Sequence, residues 1–130
     1  MVYSPPFDGA IVFFIYFGIF FGICGFVVVT ILELVTLYIL AWGSFVFSMI
    51  TSFIMNLIST IIGVFVVIGF DRGASVETFL IMFISSVVIE GLVMHIMKPS
   101  KIGVMDVWML AAFCNVITYI FPGAVILVFL

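Results

Sequence analysis

Two glutamates stand where water-free chemistry would need them. Glu33 lies in Ile31-Leu32-Glu33-Leu34-Val35 and Glu90 in Val88-Ile89-Glu90-Gly91-Leu92, each surrounded by apolar residues. A charged side chain at the centre of a bilayer costs about 2.5–3.5 kcal/mol on insertion scales, so an acid in such a run needs a reason. Two amides share that setting, Asn56 in Met55-Asn56-Leu57-Ile58-Ser59 and Asn115 in Cys114-Asn115-Val116-Ile117-Thr118. Carboxyls that load and release a proton or pair with a cation, beside amides that hydrogen-bond them, are the parts of an intramembrane polar site. Glu33, Glu90, Asn56 and Asn115 would line such a path, with Tyr38 and His95 nearer its mouth. The structural reading of the same residues is glue: polar contacts between membrane helices, worth about 0.6 kcal/mol on average.

Other chemistry is thinly represented. His95 is the single histidine. It could hold a haem or pigment, but near Lys98 it reads better as a side chain facing headgroups, and one histidine without partners is no metal site. Cys24 and Cys114 sit in apolar stretches and read as small buried hydrophobes. There is no His-Glu-x-x-His, phosphate-binding glycine loop, Gly-x-Ser-x-Gly or Cys-x-x-Cys pattern, so no enzymatic activity, cofactor or metal is expected.

The elements that must carry these residues follow from composition. Of 130 residues, 68% are hydrophobic and 7% charged. Soluble domains carry about 25% charged residues. Three basic and six acidic side chains cannot coat a globule of this size. The outer surface must therefore face lipid, and no basic stripe is left for nucleic acid. In lipid every backbone polar group needs an internal partner. The continuous apolar runs accordingly mean helices rather than strands.

About 20 apolar residues cross one bilayer. On that scale the chain divides into roughly four helices, at 10–41, 45–69, 76–97 and 107–130, forming one transmembrane domain. Ala41-Trp42-Gly43-Ser44 breaks the first long block, combining an interface aromatic, a glycine and an N-cap residue. Phe70-Asp71-Arg72-Gly73-Ala74-Ser75 is the second turn, with Ser75 as N-cap and Glu77 in the first helical turn. Lys98-Pro99-Ser100-Lys101 ends the third helix, and Asp106 is expected to cap the fourth. Pro122-Gly123 should bend that last helix. The first helix, near 48 Å at about 1.5 Å per residue, exceeds a hydrocarbon core of about 30 Å. It must tilt, kink at Gly18, Gly22 or Gly25, or protrude, unless a short separate segment precedes Gly18. Nothing basic precedes the first apolar run, so that run is expected to stay as its own insertion signal.

The first two helices and the last two look like copies of one hairpin. Each copy carries a Glu followed five positions on by a polar aromatic, then a helix reading Asn, apolar, Ile, hydroxyl. An even number of spans per copy makes this a parallel repeat. By rise per residue the two acids lie about 10–12 Å and the two amides about 15–18 Å from the same end of the bundle. Gly18-x-x-x-Gly22 is a small-residue pair that permits close helix contact. Trp42 and Trp108 fit an aromatic belt, on the side where Lys98 and Lys101 mark the cytoplasm.

The expected fold is therefore an all-α, polytopic transmembrane bundle of two tandem helical hairpins. The expected function is that of a non-enzymatic membrane subunit, oligomerising with itself or packing into a larger membrane complex. A small proton- or cation-coupled transporter or channel using Glu33 and Glu90 is the alternative.

Overall fold

A computed structural model describes residues 9–70 and 76–129. Four helices account for almost all of them: α1 (Gly9–Ile39), α2 (Phe45–Phe70), α3 (Val76–Met97) and α4 (Val104–Phe129). No strand occurs among the described residues. The helices pack in chain order and α4 closes back on α1. Three are long and apolar enough to cross a membrane, over Ile15–Ile39, Phe45–Val66 and Val76–Met97, and Val104–Ile120 is a shorter apolar stretch of α4. The exposed surface of the helices is largely apolar, with side chains such as Phe20, Phe65 and Ile120 more than 60% exposed. Such a surface suits lipid rather than water as the neighbour.

The inward faces are unusual in the opposite sense. The buried face of α2 is Ser48, Thr51, Ser52, Met55 and Asn56, at the i, i+3, i+4 spacing of one helical face. The buried face of α4 is Val107, Ala111, Cys114, Asn115 and Thr118. Apolar side chains gain nothing by leaving lipid for protein, so small and polar residues, which let helices approach and hydrogen-bond, take the inside. Ser52 shows this directly: its Oγ donates across the hairpin to the Thr30 carbonyl at 2.7 Å.

The turn after α1 is a Schellman motif. Trp42 N–H donates to the Leu37 carbonyl at 2.9 Å and Ala41 N–H to that of Tyr38 at 3.2 Å, with Ala41 at φ 57°. This geometry turns Trp42 inward, where it is 1% exposed and packs with Leu37 in the core. Its indole N–H donates to Thr51 Oγ1 at 3.3 Å. The expected belt position for Trp42 is thus replaced by a core position. The helix also ends at Ile39, two residues before the sequence boundary. Ser44 caps α2 as expected, its Oγ accepting from Phe47 N–H at 3.2 Å.

α4 begins at Val104, three residues earlier than the sequence suggests. Gly103 is its N-cap, with its carbonyl taking the first helical bond from Val107 N–H at 3.2 Å. Asp106 is not the cap but the third helical residue, and its Oδ2 accepts from Gly103 N–H at 3.2 Å. That is the reach-back half of a capping box, and a glycine cap leaves no side-chain signal in the sequence. α1 is unbroken through Gly18, Gly22 and Gly25, with no separate segment before Gly18, and α4 continues through Pro122-Gly123. The expected cap Ser75 and its turn lie outside the described residues.

A closely packed core of Leu37, Trp42, Met55, Val93, Met94, Val107, Ala111 and Cys114 fills the end of the bundle that holds the 40–44 and 98–103 turns. Trp108, half-buried, lays its ring over Gly91: a Cβ there would come within 2.4 Å of the indole.

Two substitutions test this packing. Ala41→Gly removes the left-handed penalty of about 1–2 kcal/mol for a side chain at the expense of about 0.5–1 kcal/mol of glycine entropy. It should raise stability by about 0.5–1 kcal/mol, read as a later unfolding transition in detergent. Gly91→Leu should lower it by about 1–3 kcal/mol through overpacking. Trp108→Ala in the same chain should restore part of that loss. An unchanged transition for Gly91→Leu would mean that the α3–α4 contact is not close.

Candidate functional site

One position on each helix supplies the site. Glu33 on α1, Asn56 on α2, Glu90 on α3 and Asn115 on α4 are all 4% exposed or less. The Asn56 amide Nδ2 donates to Glu33 Oε2 and also to the Ser52 carbonyl at 2.9 Å. The Asn115 Nδ2 donates to Glu90 Oε2 at 2.6 Å and to the Ala111 carbonyl at 3.0 Å. In both hairpins one amide nitrogen, with two hydrogens, ties a carboxyl on the preceding helix to a carbonyl four residues back on its own. The backbone bond fixes the amide's direction, so the carboxyl meets an oriented donor.

The two halves differ in the remaining carboxyl oxygen. Glu90 Oε1 accepts from Ser86 Oγ at 2.8 Å, one helical turn back. The corresponding position before Glu33 is Val29, which has no hydroxyl. Glu33 Oε1 is buried with no hydrogen-bond partner, as is Asn115 Oδ1. A buried polar atom left unsatisfied costs about 1–3 kcal/mol, so these two atoms are the site's open valences.

Both acids line one cavity of about 690 Å³ between the helices. Asn56, Ser59, Ser86, Thr118 and Tyr119 add polar groups to its wall, and Val29, Val64, Val66, Phe79, Met82 and Ile89 add apolar surface. No described lining residue is basic. From Asn56 to Val66 the wall follows α2 for about 15 Å, toward the end where α2 leads into α3. In the other direction the packed core fills the bundle just past the acids. The Tyr119 ring meets Phe79 and Phe83 edge-on, each with centroids 5.3 Å away. The cavity therefore has a carboxyl floor, an aromatic and aliphatic wall, and one stoppered end.

The structure brings Glu33, Glu90, Asn56 and Asn115 together and leaves Tyr38 and His95 outside. Tyr38 is 52% exposed and sits edge-on to Phe45 on the outer surface. His95 is exposed at the far end of α3. Neither lines the cavity, because residues five positions past the acids lie about 140° around the helix from them. A Cβ built at Gly18 or Gly22 would meet nothing within 4 Å among the described residues, so this pair marks no close helix contact there. Cys24 is exposed and Cys114 buried, both as free thiols. No group of three or more metal-ligating side chains occurs among the described residues.

Ser86 is the contact in this site that sequence reasoning misses. Hydroxyls in apolar helices are expected to bond their own backbone, and Thr36, Thr51 and Thr118 do so, donating to carbonyls four residues back at 2.8, 2.9 and 3.1 Å. The Ser86–Glu90 spacing of four, which puts both on one face, is the signal that distinguishes it.

The chain matches no known protein family, no curated protein and no solved structure in comparison with them.

A double-mutant cycle measures the pairing. Glu90→Leu and Asn115→Leu, singly and together, should give a coupling of about 0.6–1.7 kcal/mol in reversible detergent unfolding. Ser86→Ala should cost about 1 kcal/mol by freeing Glu90 Oε1. Val29→Ser should be neutral or stabilising, because it offers Glu33 Oε1 the donor it lacks. Additive Glu90 and Asn115 effects would show that the pair carries no energy.

Proposed function

We propose that this protein is a non-enzymatic, multi-pass integral membrane protein that moves protons or small cations, with Glu33 and Glu90 as the exchanging groups. One observation carries the reading: carboxyls from α1 and α3 face a common cavity, and one of their oxygens has no protein partner. A bare carboxylate at that depth is expensive, so the site has two low-energy states, the protonated acid and the carboxylate paired with a cation. Alternation between them is the elementary step of a coupled carrier. The core beneath the acids supplies the stopper that one-sided access requires.

In this reading all four helices cross the bilayer, and the turns holding Lys98 and Lys101 face the cytoplasm. The matching Asn–Glu–carbonyl pattern in the two halves supports a parallel internal repeat, each hairpin contributing one acid. The repeat then differs in function between its halves, since only Glu90 has a serine donor.

A second reading has its own support: an accessory subunit that oligomerises or docks into a larger membrane complex. Along α1, Phe13, Tyr16, Phe17, Phe20 and Phe21 are exposed, and a Cβ at Gly18, Gly22 or Gly25 would meet open space among the described residues. This half of the helix offers a bulky aromatic surface with small gaps to lipid, another copy or another subunit.

The two are separated by reconstitution. Proteoliposomes of the wild-type chain should pass protons or monovalent cations. Glu33→Gln and Glu90→Gln, each still folded, should cut the rate at least tenfold. Wild-type liposomes as tight as empty ones, together with a stoichiometric partner retained in mild detergent, would overturn transport in favour of the subunit reading.

A further inference from the structure

We propose that the cavity binds an organic monocation, an ammonium or amidinium group on an apolar body, with Glu33 Oε1 taking the charge and the wall taking the body. The inference rests on the cation-exchange reading above and names the cation's chemical class.

The first argument is the asymmetry between the acids. Glu90 has both oxygens engaged, by Asn115 and by Ser86. Glu33 has one engaged by Asn56 and one free, on a residue that is 1% exposed and lines the cavity. Glu90 is held in place, while Glu33 has an acceptor to offer. An N–H donor on a positive ligand satisfies that atom in the strongest way open to it, by a charge-assisted hydrogen bond.

The second argument is size. A space of about 690 Å³ falls within the range of small-molecule sites, about 300–1,000 Å³. A metal ion fits it poorly. Calcium asks for about six to eight oxygens, and no cluster of three ligating side chains occurs among the described residues. A lone alkali ion at Glu33 would leave most of the volume for water against Val64, Val66, Met82 and Ile89, which cannot hydrogen-bond it.

The third argument is the composition of the wall. Next to the carboxyl floor it is aliphatic and aromatic, and the rings of Phe79 and Tyr119 give a cation and its carbon substituents favourable neighbours. One free oxygen matches one positive charge. The ligand's cation replaces one proton, which passes from the carboxyl to bulk water, so the net charge in the cavity does not change.

The test is calorimetric titration of the full-length protein in detergent with benzylammonium chloride, against benzyl alcohol and sodium chloride. Benzylammonium should bind saturably and benzyl alcohol should not. Glu33→Gln should weaken binding at least tenfold. Tyr38→Phe, on the outer surface away from the cavity, should weaken it less than threefold. Gly63 lines the cavity with open space at its Cβ position, so Gly63→Leu fills the cavity and keeps both acids, and should also weaken binding at least tenfold. Should Glu33→Gln not fold, Gly63→Leu and the sodium competition decide. Equal binding of benzyl alcohol would make the cavity a neutral apolar pocket, and displacement by sodium at equal concentration would make it an inorganic cation site. Either overturns the proposal, as does full binding by Glu33→Gln or Gly63→Leu. Glutamate-dependent flux without benzylammonium binding would sink this inference alone. Glutamate-dependent binding without any flux would sink transport alone.

Discussion

The structure depends on one constraint: a carboxyl group kept away from water must find its hydrogen bonds inside the protein. Two such groups lie inside this bundle, and four helices meet around them. Each Asn holds a Glu on the neighbouring helix while anchored to its own backbone, which links α1 to α2 and α3 to α4 at one level. Satisfaction is complete at Glu90 and incomplete at Glu33. That difference is small in atoms, a serine hydroxyl against a valine methyl. It separates a carboxyl whose valences are all used from one with a valence left for something else.

The same constraint explains why polar residues point inward and apolar ones outward. Ser48, Thr51, Ser52 and Asn56 line the inner face of α2, while Phe53, Leu57 and Ile61 on the same helix are exposed. In water the reverse would be stable. In lipid the bundle is held by close approach and by hydrogen bonds such as Ser52 to Thr30, not by withdrawal of apolar surface. Packing is consequently uneven along the bundle. Where Trp42, Met55, Met94 and Cys114 meet, the interior is filled. Beyond the acids the side chains no longer fill the space between the helices, and a cavity results. The boundary between the filled and open regions falls at the level of the two glutamates, where a ligand reaching the carboxyls would stop.

Much of this was legible in the chain. Helix number, the break at Trp42-Gly43, the Ser44 cap and the matching depth of the Glu and Asn residues follow from apolar run lengths, cap residues and distances along a helix. These signals are local. The errors come from interactions that local signals do not carry. Trp42 looks like an interface residue by type, but the Schellman turn directs it into the core, and that turn is made by an alanine where glycine is the usual marker. Asp106 looks like a cap by type, but the cap is Gly103, whose backbone does the work. Sequence distance groups Tyr38 and His95 with the acids, but the helical twist points them elsewhere.

By itself the sequence determined the helical architecture and a surface compatible with lipid. With 68% hydrophobic and 7% charged residues, the outside of this chain suits lipid, and a backbone that must satisfy itself in lipid favours helices. It also determined that two acids and two amides lie at matching depth, because rise per residue converts position into height. Only the tertiary structure decided which way they face, that the acids share a cavity, and which oxygen is left without a partner. Those are properties of helix rotation and of contacts between segments 22 to 25 residues apart, such as Ser52 with Thr30 and Asn115 with Glu90. The physical reason is that depth accumulates along one helix, whereas orientation is set by what the neighbouring helices present.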